Sequence, residues 1–448
     1  MIPKTRKEKS KESGKTFQTP KGMHDVLPGD QPYWDRIERV VRDLAEFYNF
    51  ARIRTPILEF AELFQRTAGE ETDIVRKEMY VFKTKGGDVV TLRPEGTAAV
   101  ARAYLEHSLG RMSQPQRLFY IEPMFRYENP QAGRYRQHSQ AGFEVLGGSN
   151  DPIYDAQIIT MFQRLLETLR IKNTNLKINS IGCRVCRPLY RRQLQTYYKT
   201  HEKDLCSDCV GRLKQNPLRL LDCKEDSCGR LKERVPNVLD KLCSTCSEHF
   251  KTVLEYLDEL QLPYTLDNQL VRGLDYYNRT VFEISVEGKG SEVGALPGGG
   301  RYDYLMELLG GHLTPAVGGA CGVDRLVAVM KAQEIKIGER LSQRVFVAHA
   351  GELAKKKCLK LVEELRKANI GASEALARES LKAQLKAADR DGAPIALILG
   401  QKEIYEDGVI IRDLRSGLQE TVPLHRIIDE VRKRLRDKNV VEVTPIHD

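Results

Sequence analysis

At 448 residues the chain is about three times an ordinary domain of roughly 150 residues, so several domains are expected. Its 71 Lys and Arg against 62 Asp and Glu leave a net charge of +9, a mild excess that suits a polyanionic partner and falls far short of a histone-like balance. With 41% hydrophobic and 30% charged residues there is material for sizeable cores, and the lack of any apolar run near about twenty residues excludes a helical membrane span.

The opening MIPKTRKEKSKESGK is basic and has no apolar stretch of the kind a secretory signal needs, so residues 1–17 are expected to form a disordered basic tail and the protein to be cytoplasmic. After the turn-rich KGMHDVLP, apolar spacing from Tyr33 to Tyr48 predicts an amphipathic helix, and ARIRTPILEF reads as an extended strand entering a turn. DVVTLRPEG, RLFYIEPMFRYEN, FEVLGG and TVFEISVEG are short, β-branched or aromatic, and bounded by Gly, Pro or Asn, which predicts strands of a largely antiparallel sheet. Helical patterns at 95–109 and 151–170 interrupt them without regular βαβ alternation, so the first large unit reads as α+β. From about residue 178 to 260 the composition shifts to Lys, Arg, Cys and Leu with helical spacing, the mark of a helical insertion in the sheet domain. Beyond Gln343, strand and helix alternate through RVFVAHAG, ELAKKKCLKLVEELRKAN, PIALILG and GVIIRDL, which predicts a small α/β domain with a mostly parallel sheet.

Residues 117–147 gather Arg117, Arg126, Arg134 and Arg136 with Glu122, Glu128 and Glu144. If Arg126 and Glu128 both lie in a strand, their spacing of two puts them on one face. An arginine fork in a sheet's cleft suits a phosphate; a surface salt-bridge ladder is the alternative these residues alone leave open. LVRGLDYYNRTVFEI adds Arg272, Tyr276 and Tyr277, and the glycines of GALPGGGRYDYLMELLGG let a backbone approach a ligand, although without the spacing of a phosphate loop. PAVGGACGVDRL ends in Arg325 near an expected helix start, placed either to meet anionic oxygens or to lie on a helix surface.

Taken together these segments resemble the histidyl-tRNA synthetases, a family of class II aminoacyl-tRNA synthetases, from about Lys21 to residue 430. KGMHDVLP resembles the family's opening, RIRTPILEF its motif 1, MFRYENPQAGRYRQ its motif 2 and GGACGVDRL its motif 3, while LVRGLDYYNRTVFEI and TLRPEGT are histidine-specific. The resemblance implies an α+β fold: an antiparallel β-sheet catalytic core flanked by helices, a helical insertion and a C-terminal α/β anticodon-binding domain. The implied boundaries are 18–177 for the first catalytic part, 178–261 for the cysteine-rich insertion, 262–337 for the second catalytic part, 342–434 for the anticodon-binding domain and 435–448 for a C-terminal tail.

The implied reaction is that of a histidine–tRNA ligase, in which L-histidine and ATP give histidyl-adenylate and diphosphate before the histidyl group passes to tRNA(His). Positioned cations are its main need, because a carboxylate must approach an anionic phosphate. By the resemblance, Arg126 binds the α-phosphate with Arg272 opposite it, Arg325 holds the γ-phosphate, Glu128, Arg134 and Tyr135 serve ATP, and Mg²⁺ accompanies the phosphates. Glu95, Thr97 and Gln140 take the α-amino group of histidine, Glu144 and Tyr277 the imidazole nitrogens beside Tyr276, and Gln131 and Arg136 face the tRNA acceptor end. A carboxylate and a phenol can satisfy the one donor and one acceptor of a neutral imidazole. A homodimer through motif 1 is implied, and no membrane. RQHSQAG departs from the family's usual RQFHQ-type sequence, Tyr304 stands where glycine is usual, and the last domain keeps SLKAQLKAAD within looser surroundings.

Eight of the ten cysteines fall between Cys183 and Cys246 as the pairs Cys183/Cys186, Cys206/Cys209, Cys223/Cys228 and Cys243/Cys246. A CxxC turn brings two thiolates to one tetrahedral metal, so structural zinc without a catalytic role is expected, with the combination of pairs left open. Dispensable or redox-active thiols are the alternative. Two other readings of the chain are a catalytically silent paralogue, which usually lacks the C-terminal domain or the RGLDYY residues, and a zinc-dependent nucleic-acid binder, which leaves Glu95, Arg126, Gln140 and Arg272 unexplained.

Overall fold

The computed structural model describes residues 17–69, 72–131, 133–223, 225–337 and 345–438, so residues 1–16 and 439–448 of the expected tails lie outside the described residues. The chain divides into two units, Met1–Ile337 and Gly338–Asp448.

In the first unit, helix α1 (Gln31–Phe47) buries Ile37, Val40, Val41 and Ala45, whose spacing makes one apolar stripe. Strands β1 (Ala51–Arg52) and β2 (Leu58–Phe60) precede α2 (Ala61–Ala68), the hairpin of β3 (Tyr80–Lys83) and β4 (Val89–Leu92), and α3 (Thr97–Glu106). The long antiparallel pair β5 (Gln116–Phe125) and β6 (Gln137–Leu146) leads to α4 (Ile153–Thr168) and β7 (Thr174–Ser180). A helical segment follows, with α5 (Arg187–Thr200), α6 (Ser207–Gln215), α7 (Asp226–Lys232) and α8 (Ser244–Glu259). The chain then returns through β8 (Thr265–Leu266), β9 (Asn278–Val286), β10 (Pro297–Arg301), α9 (Leu305–Leu308), β11 (Ala316–Gly322) and α10 (Val323–Ala332).

Eight strands form one sheet in the order β1-β5-β6-β11-β10-β9-β7-β8, antiparallel except at its two edges, where β1 pairs β5 and β8 pairs β7 in parallel. Strands β2, β4 and β3 make a separate small antiparallel sheet.

Residues paired across an antiparallel ladder point to the same face. On one face Ala141, Phe143, Val145, Phe282, Ile284, Val317 and Cys321 pack with α1, α4, α8 and α10 in the main core. Burying each such large side chain is worth about 1.5–3 kcal/mol. On the opposite face His138, Gln140, Gly142 and Glu144 of β6 lie beside Gly318, Ala320 and Gly322 of β11, of which Gly318 pairs with Gly300 and Ala320 with Gly298 on β10. The glycine-rich stretch is therefore two strands at the centre of the sheet, where missing side chains turn one face into a trough.

The helical segment has its own core of Tyr190, Leu194, Tyr198, Leu213, Leu220 and Leu221. In the second unit, β12 (Val345–His349), α11 (Glu352–Lys367), β13 (Ala372–Glu374), α12 (Leu381–Arg390), β14 (Ile395–Leu399), α13 (Gln401–Tyr405), β15 (Gly408–Asp413), β16 (Gln419–Pro423) and α14 (Ile427–Lys438) form an α/β fold in the sheet order β13-β12-β14-β15-β16. That sheet is mixed rather than mostly parallel, because β14, β15 and β16 are joined by short connections that permit only antiparallel pairing. Within it, Gln384 of the SLKAQLKAAD segment is buried and clamps both the N–H and the carbonyl of His349 at 3.0 Å.

Candidate active site

Strand β5 ends at Phe125, so Arg126 and Glu128 lie beyond it rather than both within it; the ladder continues only through the Arg126 N–H, which donates to the Arg136 carbonyl at 2.9 Å. Arg126 is aimed by its own Nε, which donates to the Pro94 carbonyl at 2.8 Å. Arg272 approaches from the loop before β9, with Nη1 donating to Glu283 Oε2 at 2.7 Å. It passes over Gly298, where a Cβ would lie 2.5 Å from the guanidinium. Arg325, in the first turn of α10, donates from Nε to the Gly133 carbonyl at 3.1 Å and from Nη1 to the Ala295 carbonyl at 2.7 Å.

These three arginines share one cleft with Glu128, Arg134, Tyr135, His138 and Gln140. Arg134 lies 3.7 Å from Glu128, and Tyr135 packs its ring 4.2 Å from that of His24, which in turn lies 3.5 Å from Asp324. Burial and the neighbouring Arg126 and Arg325 push the His138 imidazole down to about 3, so it stays neutral among the cations. Gln140 presents a buried Oε1 with no hydrogen-bond partner among the described residues, an acceptor left open toward a ligand.

Along the same face of β6, beyond Gln140, lies a buried polar cluster. Glu95 caps α3, its carboxylate accepting from the Thr97 N–H at 2.6 Å and the Ala98 N–H at 2.9 Å. Thr97 Oγ1 donates to Glu144 Oε1 at 2.7 Å, Tyr120 approaches the same oxygen at 3.5 Å, and the Tyr302 hydroxyl donates to Oε2. Glu144 can stand there only because its neighbour is glycine, since a Cβ on Gly318 would lie 1.7 Å from Oε2. Burial pushes the Glu144 carboxyl up to about 8, against the pull of its hydrogen bonds. Tyr276 and Tyr277 pack against each other at 4.6 Å, and Tyr302 meets them at 5.6 and 6.3 Å.

Not every expected residue faces the cleft. Arg136 stacks on Tyr127, 3.6 Å from the ring centroid, and donates from Nε to the Glu128 carbonyl. Gln131 turns its amide toward Arg134. Among the other charges of this stretch, Glu122 is held by the buried Arg93 at 3.0 Å and Arg117 by the Tyr48 carbonyl at 3.2 Å, both structural. Tyr304 packs its ring 3.9 Å from the Arg184 guanidinium. Sequence reasoning gave no role to Tyr120, His138, Glu283 or Tyr302. Nor did it anticipate the buried network in which Arg301 meets Asp155, Asp303 and Asn150, with His249 beside Asp155.

The eight clustered cysteines fold into two tetrads, Cys183/Cys186/Cys243/Cys246 and Cys206/Cys209/Cys223/Cys228, with the four sulfurs of each lying within 4.8 Å of one another. The Sγ–Sγ separation is 3.7 Å for Cys183–Cys186 and 3.8 Å for Cys183–Cys243, Cys186–Cys246 and Cys206–Cys223. Four sulfurs at about 2.3 Å from one zinc sit about 3.8 Å apart at tetrahedral angles. A disulfide would require about 2.05 Å.

A sequence model described as histidyl-tRNA synthetase matches residues 22–326, more than half of the chain. The chain belongs to the histidyl-tRNA synthetase family. It is an aminoacyl-tRNA ligase of that family, a histidine–tRNA ligase. An anticodon-binding-domain model matches residues 344–434. The histidine–tRNA ligase of Dehalococcoides mccartyi is 46% identical over 421 residues, covering 94% of this chain and 100% of its own. That of Desulforudis audaxviator is 46% identical over 420 residues, covering 93% and 99%. The crystal structure of the apo S. aureus histidyl-tRNA synthetase matches with a TM-score of 0.79 at 34% identity, over 93% of this chain and 100% of that one.

Proposed function

We propose that the arginine cleft binds ATP, that the polar pocket behind it binds L-histidine, and that the histidine carboxylate attacks the α-phosphate where the two meet. The observation that carries this reading is Glu144, a buried carboxyl ringed by Thr97, Tyr120 and Tyr302 at the closed end of a glycine-floored trough whose open end holds Arg126, Arg272 and Arg325.

In this reading Arg126 and Arg272 hold the α-phosphate and the histidine carboxylate between them, which offsets the repulsion of two anions and the charge growing on the phosphoryl oxygens. Arg325 takes the γ-phosphate, and Tyr135, Glu128 and Arg134 flank the adenine. Mg²⁺, when bound, neutralises phosphate oxygens. The open Oε1 of Gln140, with Glu95 and Thr97, receives the α-amino group. Glu144 and Tyr277, beside Tyr276, pair the two imidazole nitrogens, so an analogue lacking them leaves buried polar groups unsatisfied.

tRNA(His) is the acceptor, with Gln131 and Arg136 on the side of its terminal nucleotides and residues 342–434 reading the anticodon. Residues 178–261 form the insertion between catalytic parts 18–177 and 262–337. A homodimer through the motif 1 region is supported by the exposed apolar face of the small sheet, where Leu58, Phe60 and Phe82 are each more than 40% exposed. No described helix is long and apolar enough to cross a membrane, and the cytoplasm is the proposed compartment. Structural zinc in both cysteine tetrads is supported by the sulfur spacing.

Glu144→Gln tests the pocket. It should raise KM for histidine on the order of tenfold, the loss of one buried hydrogen-bond partner, while KM for ATP stays put. An unchanged histidine KM would remove Glu144 from recognition.

A further inference from the structure

The two cysteine tetrads are not equivalent. Cys183 and Cys186 follow β7 directly and Cys243 and Cys246 open α8, so the first tetrad ties together the two ends of the helical segment. Cys206, Cys209, Cys223 and Cys228 lie wholly inside that segment, and three of them pack with Tyr190, Leu194 and Tyr198 in its own core.

The first tetrad touches the backbone that carries the histidine pocket. Gly182 has a φ of +69°, and a Cβ there would lie 2.6 Å from Cys186 Sγ, so the tetrad fits only against glycine. Its carbonyl accepts from the Arg279 N–H at 2.9 Å, and the Ile181 N–H donates to the Arg279 carbonyl at 2.8 Å. Arg187, one residue beyond Cys186, has its N–H donating to the Cys183 carbonyl at 2.9 Å. Its guanidinium bridges the two segments, with Nε donating to the Ile181 carbonyl at 3.3 Å and Nη2 to the carbonyls of Gly182, at 3.3 Å, and of Tyr277. Tyr277 is the aromatic residue packed between Tyr276 and Tyr302 beside Glu144.

We infer that the Cys183/Cys186/Cys243/Cys246 centre is a positioning site for histidine recognition: zinc there fixes the turn from Gly182 to Arg187, and Arg187 fixes the Tyr277 carbonyl and with it the ring that lines the pocket. Four thiolates around Zn²⁺ carry a net charge of about −2, which favours a guanidinium alongside and holds Arg187 in its bridging position. The inner centre stabilises the helical segment, whose Asn216 and Arg219 reach the Asp275 side chain and the Arg272 carbonyl but not the Tyr277 carbonyl that Arg187 holds. Arg187 acts through Tyr277 and is a positioning residue.

The inference rests on the reading of the tetrads as zinc sites, and the test separates the two. Full-length protein purified without added metal is measured for zinc by mass spectrometry, for histidine affinity by calorimetry, and for histidine and ATP KM by ATP–pyrophosphate exchange. The variants are Cys246→Ser, Cys209→Ser, Arg187→Ala and Arg187→Lys. Two zinc ions per chain are expected in the parent and in both Arg187 variants, one per tetrad, with one lost in each cysteine variant. Histidine Kd and KM should rise about tenfold or more in Cys246→Ser and Arg187→Ala, as for other partners that orient a bound group, with ATP KM within about twofold. Arg187→Lys should recover part of the loss, and Cys209→Ser should keep the parent's histidine KM. An unchanged histidine KM in Cys246→Ser that has lost one zinc, or an equal rise in Cys209→Ser, overturns the positioning role. If Cys246→Ser does not fold, Arg187→Ala decides it, since two bound zinc ions with an unchanged histidine KM overturn that role equally. A parent protein without zinc overturns the metal reading itself.

Discussion

The Tyr302 hydroxyl donates to Oε2 of Glu144 while Thr97 donates to Oε1, so a carboxyl with no exposed surface meets donors on both oxygens before any ligand arrives. Three segments converge on it: the start of α3 with Thr97, strand β5 with Tyr120 and the turn after β10 with Tyr302. Convergence of this kind fixes where a polar ring can be held.

Glu144 should make the stability of the ligand-free protein depend on pH. Burial raises its folded-state pKa to about 8, from the 4.5 of an ordinary glutamate. Between those values the native protein keeps a proton that the unfolded chain has lost, so this contribution is full below the lower value and is lost as pH rises through the upper one. Asp155, held low mainly by Arg301, works in the opposite sense and only at more acid pH. Tm should therefore fall between about pH 5 and pH 8 more steeply in the parent than in Glu144→Gln, followed by scanning calorimetry. Parallel curves for the two proteins would contradict the raised pKa.

Gly318→Ala should abolish histidine binding. The added Cβ would lie 1.7 Å from Glu144 Oε2 and 2.7 Å from the Phe143 carbonyl, so the carboxyl must leave its donors and the strand pair must shift. Gly298→Ala meets only the end of a long side chain, at 2.5 Å from Arg272 Nη1. It should keep the fold, with Tm within about 2 °C of the parent, and lose activity on the order of 10²-fold through a displaced cation. Full activity in Gly298→Ala would contradict the placement of Arg272.

Asp155→Ala should destabilise without touching the chemistry. The aspartate is buried against Arg301, and removing one member of such a pair costs about 3–5 kcal/mol because the other charge is left uncompensated. Denaturant unfolding measures the loss, and a change below about 1 kcal/mol would show that the network is dispensable.

Much of this was legible in the residues. The aromatic and β-branched character of RLFYIEPMF and the spacing of α1 predicted their elements, and the motif segments put Arg126, Arg272 and Arg325 forward as cations that the structure brings into one cleft. The CxxC spacings predicted metal-type clusters, although only the fold pairs Cys183/Cys186 with Cys243/Cys246 across a whole helical segment. Tyr302 was hidden because its importance lies in reaching Glu144 from a residue 158 positions away, a contact that no local pattern encodes. The trough was present as two runs of small residues, Gly298 to Gly300 and Gly318 to Ala320, but glycine is also the signature of loops, and only pairing across β10 and β11 makes them a floor. Gln384 teaches the converse, since a residue of the SLKAQLKAAD segment that matches the family is occupied in holding His349.

Histidine-dependent ATP–pyrophosphate exchange tests the central claim most directly, with Arg272→Ala beside the parent. The parent should exchange only when histidine is present, and Arg272→Ala, folded and with unchanged Tm, should lose about 10²-fold or more of the rate, the usual loss when one preorganised charge is removed from a transition state. A folded parent that shows no histidine-dependent exchange, or an Arg272→Ala variant that exchanges at the parental rate, would contradict the account.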